Sequence, residues 1–281
     1  MATLAECLSR SKELDAVSDT ARLDTEVLLA KAIDKPRTFL YTWAEKDLTP
    51  GQQQLFDEWF QRRIDGEPIA YILGEKEFWS LALAVNSSAL IPRPETELLV
   101  ETLLELLPVE AQKVLDLGTG TGAIALALAS ERPRWKIMAV DNSVAAVNLA
   151  IENCRQCGFQ NVQITRSDWY YNVGNQPFDA IVCNPPYIDA ADGHLQRGDV
   201  RFEPDMALIA KENGLAELTT VISGANAHLT SAGWLLVEHG WDQGKSVRST
   251  FLKEGFVEVE TKQDLASRDR ITVGQKPQQT I

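Results

Sequence analysis

Apolar positions change their spacing along the chain. Over the first 70 residues they recur every three or four positions, as on one face of a helix; from Lys113 onward they gather into short continuous runs separated by helical stretches. In the first region, Ser18 or Asp19 is placed to cap a helix with Leu23, Val27 and Ala30 on one face. Pro36 suits the first turn of a short helix through Trp43. Thr49-Pro50 opens a longer helix with Leu55, Phe56, Trp59, Phe60 and Ile64 on one side, and Gly66 stops it. Such apolar stripes need one another, so residues 1–72 are expected to form a small helical bundle. The apolar run from Phe78 to Val85 predicts a β-hairpin linking two domains, over 73–90.

The rest, 91–281, alternates. Pro94 and the acids around it start a helix through Leu107. Strands are expected at Val114–Leu117, Ile137–Val140, Val162–Thr165, Ala180–Cys183 and Trp234–Glu238, with helices at Ala123–Ser130, Val144–Cys157, near Leu215–Leu229 and near Lys245–Lys253. Val257–Val259 and Arg270–Val273 read as a closing hairpin. Strand-helix alternation of this kind implies an α/β domain with a mostly parallel sheet and helices on both faces.

Composition narrows the setting. At 281 residues the chain reaches the length at which one core stops growing and a second domain becomes favourable. No apolar run approaches the roughly 18 residues of a membrane helix. Met1 to Arg10 lacks a basic start followed by an apolar block, so a cytoplasmic protein is expected, taken as a monomer. The net charge is −13, and both sides of residue 80 are acidic (10 basic against 15 acidic before it, 17 against 25 after). Nucleic-acid binders carry a basic footprint, so this balance argues against DNA or RNA as the main partner. Cys154-x-x-Cys157 falls inside a helical pattern and has no second pair, so it reads as ordinary thiols. His194, His228 and His239 have no partner at metal-ligand spacing; they read as structural, and no metal site is expected.

Two segments carry chemistry. Asp116-Leu117-Gly118-Thr119-Gly120-Thr121-Gly122 joins the first strand of the alternating region to its helix. Glycines let the backbone turn tightly and approach a ligand, and the helix start offers free N–H groups. Asp141 ends the next strand, where a carboxylate can accept from both hydroxyls of a ribose. With Ala123 in third place the loop also satisfies the dinucleotide fingerprint, so an NAD-dependent oxidoreductase stays open. Asp116 tips the balance toward a cationic ligand such as S-adenosyl-L-methionine, which has an ammonium and a sulfonium and no phosphate. Asp168-Trp169 follows the third strand and offers a carboxylate for an adenine amino group and an indole for its face, although Trp169 also reads as a core aromatic.

Asn184-Pro185-Pro186-Tyr187 follows the fourth strand, on the edge where such sheets bind ligands. The two prolines stiffen the turn. An amide or aromatic amine nitrogen shares its lone pair with a π system and attacks poorly. Two acceptors, the Asn184 side-chain carbonyl and the Pro185 backbone carbonyl, can hold its two N–H groups and aim the lone pair, and Tyr187 can stack on the flat group. As positive charge moves onto the nitrogen these contacts strengthen, which is the condition for catalysis.

Together these segments resemble the protein-(glutamine N5) methyltransferases that modify class 1 peptide-chain release factors in bacteria. The resemblance rests on Asp116 to Ala123, Asp141, Asp168-Trp169, Asn184 to Tyr187, Leu90-Ile91-Pro92-Arg93-Pro94-Glu95-Thr96-Glu97 and Asp199-Val200-Arg201-Phe202-Glu203-Pro204. It covers nearly the whole chain and is weakest over the first 70 residues. It implies a Rossmann-like methyltransferase sheet, S-adenosyl-L-methionine held by Asp116, Gly118 to Gly122, Asp141, Asp168, Trp169 and Asn184, and a glutamine of a Gly-Gly-Gln loop bound by Asn184, Pro185, Pro186 and Tyr187. It further implies that Arg93, Pro94, Glu95 and the loop around Arg201 to Pro204 accept the substrate loop, and that the N-terminal bundle contacts the release factor. A nucleic-acid amine methyltransferase acting on adenine N6 or guanine N2 is the main alternative, and a non-catalytic binding module a further one.

Overall fold

The computed structural model describes residues 2–196 and 198–278, without the side chain of His194, so the reading of that histidine falls outside the described residues. The chain divides into two compact units, one of residues up to 74 together with 193–202, the other of 75–192 and 203 onward.

The first unit is helical: α1 (Leu4–Ser9), α2 (Ala21–Ala32), α3 (Arg37–Thr42), α4 (Pro50–Ile64) and α5 (Ile69–Leu73). Thr49 and Gln52 form a reciprocal capping box at the start of α4, with Pro50 in the first turn, and Gly66 follows the helix in a left-handed conformation (φ +91°). Leu4, Leu8, Leu14, Leu28, Leu29, Leu40, Phe56 and Phe60 form its core. The expected cap of α2 is corrected by the structure. Thr20 occupies the N-cap without a side-chain bond; Ser18 and Thr20 instead donate to Asp24, at 2.7 and 3.0 Å. Asp24 also accepts from the buried Arg63 Nε at 2.7 Å, so these hydroxyls serve a buried ion pair. Leu23 faces outward at 40% exposure, and Ala21, Thr25, Leu28 and Leu29 are buried instead.

The second unit opens with the hairpin β1 (Glu75–Phe78) and β2 (Leu81–Ala84), then α6 (Glu97–Leu106). The sheet follows: β3 (Lys113–Leu117), α7 (Ala123–Glu131), β4 (Lys136–Asp141), α8 (Val144–Cys157), β5 (Val162–Arg166) and β6 (Phe178–Cys183). A two-residue pair, β7 (Ile188–Asp189) with β8 (Ile209–Ala210), and a distorted turn, α9 (Lys211–Gly214), precede α10 (Ala216–His228), β9 (Leu229–Glu238), α11 (Gly244–Lys253), β10 (Val257–Gln263) and β11 (Asp269–Gln275). The seven-stranded order is β10-β11-β9-β6-β3-β4-β5. The last five are parallel, and the terminal hairpin adds antiparallel on β9. Alternation along β3 feeds both layers: Val114 packs with α6 and α7, while Leu115 and Leu117 pack with α10 and α11. Because β4 and β6 flank β3 on opposite sides, the chain reverses its winding there, and a crevice opens beyond the carboxyl ends of the strands. No helix among the described residues is long and apolar enough to cross a membrane.

Candidate active site

At that crevice lies a cavity of about 270 Å³. Its floor is the glycine loop. Gly118, Gly120 and Gly122 all have positive φ (69°, 56° and 85°), a conformation that strains any residue with a Cβ. The loop is tied down at both ends: Thr119 N–H donates to the Val140 carbonyl at 2.9 Å, and Gly122 N–H to the Thr119 carbonyl at 2.8 Å. Asn153 on α8, fully buried, donates to the Thr121 carbonyl at 2.9 Å and exchanges two hydrogen bonds with the backbone of Ala84, joining the hairpin to the loop.

Asp141 lines the cavity with its carboxylate held in place. One oxygen accepts from Gly120 N–H at 3.0 Å and the other from Ser143 N–H at 2.9 Å. Burial raises the Asp141 pKa, against the backbone donors Ser143, Gly120 and Asn142. Trp169 forms a wall over the loop; a Cβ on Gly118 would sit 3.6 Å from its indole. Its Nε1 donates to Glu217 at 2.9 Å, and its backbone is left-handed (φ 43°), stabilised by the Ser167 hydroxyl donating to its carbonyl. A bulky residue there stores strain, an arrangement that concentrates at functional sites. Asp168 is exposed at the cavity mouth.

Asn184 and Pro186 line the cavity on the side of β6. The Asn184 Nδ2 donates to Thr96 Oγ1 at 3.2 Å. Thr96 in turn donates to Glu238 Oε2 at 2.7 Å, and Tyr187 O–H donates to Glu238 Oε1 at 3.2 Å. Burial pushes Glu238 up to about 7, against the Thr96 hydroxyl and the charge of Arg270. Burial, with the Glu238 charge beside it, raises the Tyr187 phenol as well.

The sequence-derived residues do not all reach the cavity. Gly118, Thr119, Gly120, Thr121, Asp141, Asp168, Trp169, Asn184, Pro186 and Arg93 line it. Asp116 does not. It is fully buried behind the loop, where Oδ2 accepts from Thr119 Oγ1 at 2.6 Å and Oδ1 has no hydrogen-bond partner. Burial pushes its carboxyl up to about 7. Gly122 begins α7 rather than facing the cavity. Pro185 and Tyr187 also lie off the lining, the Tyr187 hydroxyl turned inward to Glu238. Pro94 and Glu95 are exposed outside it. Glu203 is committed internally: it accepts from Ile91 N–H at 2.9 Å and pairs with Arg93, fixing the segment beside the cavity. Within the helical unit, Asp199 pairs with Arg63 at 2.8 Å and Arg201 donates to the Asp65 carbonyl at 3.3 Å.

Sequence reasoning gave no role to Thr96, Glu238, Ser143, Ile124 or Glu217. Glu238 carried the same signal as Asp141, an acid closing a buried strand. His228 stacks on Tyr170 with centroids 4.5 Å apart, and His239 is buried against Thr272. Among the described residues no cluster of His, Cys, Asp or Glu could hold a metal ion.

The donor set fits S-adenosylmethionine: a pre-oriented carboxylate for a diol, apolar and aromatic walls, and a buried acid behind the loop. Comparison with known proteins agrees. A family model for the PrmC N-terminal domain matches residues 8–74, and one for the methyltransferase small domain matches 92–199. A release factor glutamine methyltransferase of Salmonella typhimurium is 52% identical over 257 residues, spanning 92% of this chain and 93% of the relative. One of Pseudomonas aeruginosa is 51% identical over 275 residues, spanning 98% and 99%. The chain belongs to the release factor glutamine methyltransferase family. A solved methyltransferase of Pyrococcus furiosus shares the fold, with a TM-score of 0.55 at 16% identity over 79% of this chain and 99% of that one. The Rossmann-like sheet expected of the family is the one observed.

Proposed function

We propose that this member of the release factor glutamine methyltransferase family transfers a methyl group from S-adenosyl-L-methionine to the side-chain amide N5 of the glutamine in the Gly-Gly-Gln motif of class 1 peptide-chain release factors. S-adenosylmethionine, when bound, supplies a methyl group on an electron-poor sulfonium. The residues of the chain do the rest. Asp141 accepts from the ribose hydroxyls, Trp169 and Ile124 wall the adenine, and Asp168 at the mouth meets its amino group. Asp116 sits behind the loop without touching the ligand and acts by holding the Thr119 hydroxyl of that loop.

The observation that carries the reading is the orientation of Asn184. Its Nδ2 is taken by Thr96, so its Oδ1 is the end left to accept a substrate N–H at the cavity. The second N–H is assigned to the carbonyl of Pro185, which lies off the cavity lining but directly between two residues that form it, Asn184 and Pro186. With both hydrogens held, the nitrogen lone pair points at the methyl group, and both acceptors bind more strongly as the nitrogen becomes positive. Arg93, fixed by Glu203, and the exposed Pro94 and Glu95 form the approach for the substrate loop, and the first 72 residues recognise the body of the release factor. The protein acts as a cytoplasmic enzyme, and its acidic balance disfavours direct nucleic-acid contact. Incubation with a release factor and the cofactor, followed by peptide mass spectrometry, should find one added methyl group on the Gly-Gly-Gln glutamine. An unmodified factor alongside methylated DNA or RNA would reject the proposal.

A further inference from the structure

We infer that Thr96 and Glu238 form a positioning pair that sets which end of the Asn184 amide faces the substrate. The inference rests on the proposed role of Asn184 as acceptor. A carboxamide has two ends of nearly equal size and opposite polarity, so packing alone hardly distinguishes them, and the hydrogen-bond network must. Turned over, Asn184 would present an N–H to the substrate N–H: an acceptor lost and a repulsion gained.

The polarity of the network follows from its last member. A carboxylate has no proton to give. While it is ionised, Glu238 therefore only accepts, at one oxygen from Thr96 Oγ1 (2.7 Å) and at the other from the Tyr187 hydroxyl (3.2 Å). The Thr96 hydroxyl has a single proton, and Glu238 takes it. Only lone pairs then remain on Oγ1 to face Asn184, and these can meet Nδ2 but not Oδ1; the 3.2 Å contact is the result. The chain of donation runs one way, from Asn184 through Thr96 to Glu238. Thr96 is 5% exposed and Glu238 1%, so water does not compete for these contacts. Three separate elements meet here: the turn before α6, the end of β6 and the end of β9. Thr96 lines the cavity and Glu238 lies behind it; in this scheme both act through Asn184.

The groups facing Glu238 are Thr96, Tyr187 and the charges of Arg270 and Glu95. If Glu238 takes up a proton it can donate to Thr96, whose own proton is then free for Asn184 Oδ1. The pair thus favours the productive amide when the carboxyl is ionised.

Thr96→Val keeps the shape and removes the hydroxyl, while Thr96→Ser restores it. Thr96→Val should lower kcat for release-factor methylation by about 10–100-fold, less than deletion of an oriented transition-state contact, which costs ~10²–10³-fold. Its cofactor Kd, measured calorimetrically, should stay near that of the wild type, while its Tm should fall because a buried Glu238 oxygen loses its donor. Thr96→Ser should return kcat to within a few-fold of wild type. Glu238→Met, which removes both acceptor oxygens and frees the Thr96 proton for Asn184 Oδ1, should also lower kcat, and it decides the matter if Thr96→Val does not fold. Wild-type kcat in Thr96→Val or in Glu238→Met, or a Thr96→Ser as poor as Thr96→Val, would overturn the inference. A wild-type enzyme that leaves the release factor unmodified would instead reject the functional reading beneath it.

Discussion

Replacing Asp116 with asparagine measures what a buried carboxylate costs this fold. The side chain is fully enclosed, with Thr119 donating to one oxygen and no hydrogen bond to the other. Burial moves its pKa from 3.8 to about 7. The gap of about three pH units, at roughly 1.4 kcal/mol each, is a cost on the order of 4 kcal/mol once the group is ionised in the folded chain. The sign follows from the protons bound. Between pH 3.8 and 7 the folded protein holds a proton on Asp116 that the unfolded chain releases. Stability from this group is therefore full below the unfolded value and is lost as pH rises through the folded one. Asparagine has no proton to lose. Its Nδ2 would lack a partner, a penalty of about 1–3 kcal/mol that does not vary with pH. The variant's stability relative to wild type should therefore rise by roughly 1.4 kcal/mol per pH unit from pH 5 to 7 and level off above. Glu238 contributes equally to both proteins and cancels. Equilibrium urea unfolding at pH 5, 6, 7 and 8, following the transition of the sheet-containing unit, gives the comparison. A difference that stays flat across that range would refute the argument that Asp116 is held near neutrality by burial.

Three further outcomes follow from the same geometry. Asn184→Ala removes the acceptor proposed for the substrate N–H and should cut kcat by about 10²–10³-fold in single-turnover assays with little change in Tm, and near-normal turnover would remove it from the mechanism. Asn153→Ala deletes the links from α8 to Ala84 and Thr121 and leaves buried backbone groups unpaired, so a loss of about 3 kcal/mol is expected in urea melts. Gly122→Ala forces a Cβ into a left-handed residue, 3.2 Å from Leu126 Cδ1 and 3.3 Å from Ala150 Cβ; it should cost at least about 1–2 kcal/mol and weaken cofactor binding in calorimetry.

The order of strands and helices was readable from residue spacing because burial imposes a period of two or of 3.6 directly on the chain. The glycine loop and the Thr49-Pro50 helix start were readable too, since each satisfies a requirement within a few residues: positive φ for Gly118, Gly120 and Gly122, and orphan N–H groups for Thr49 and Gln52. Asn184 and Asp141 were located by their place at strand ends. What local pattern could not supply was the partner of each polar side chain. Thr96 lies 88 positions from Asn184 and 142 from Glu238, and only the pairing of β6 with β9 and the packing of α6 on that part of the sheet bring the three together. The same holds for Glu203, spent on Ile91 and Arg93, and for Asp116, sealed behind its loop instead of facing the ligand. Steric preference and hydrophobic period act over a turn or a strand, whereas a hydrogen-bond network depends on which strands become neighbours, and that choice belongs to the packing of the whole sheet.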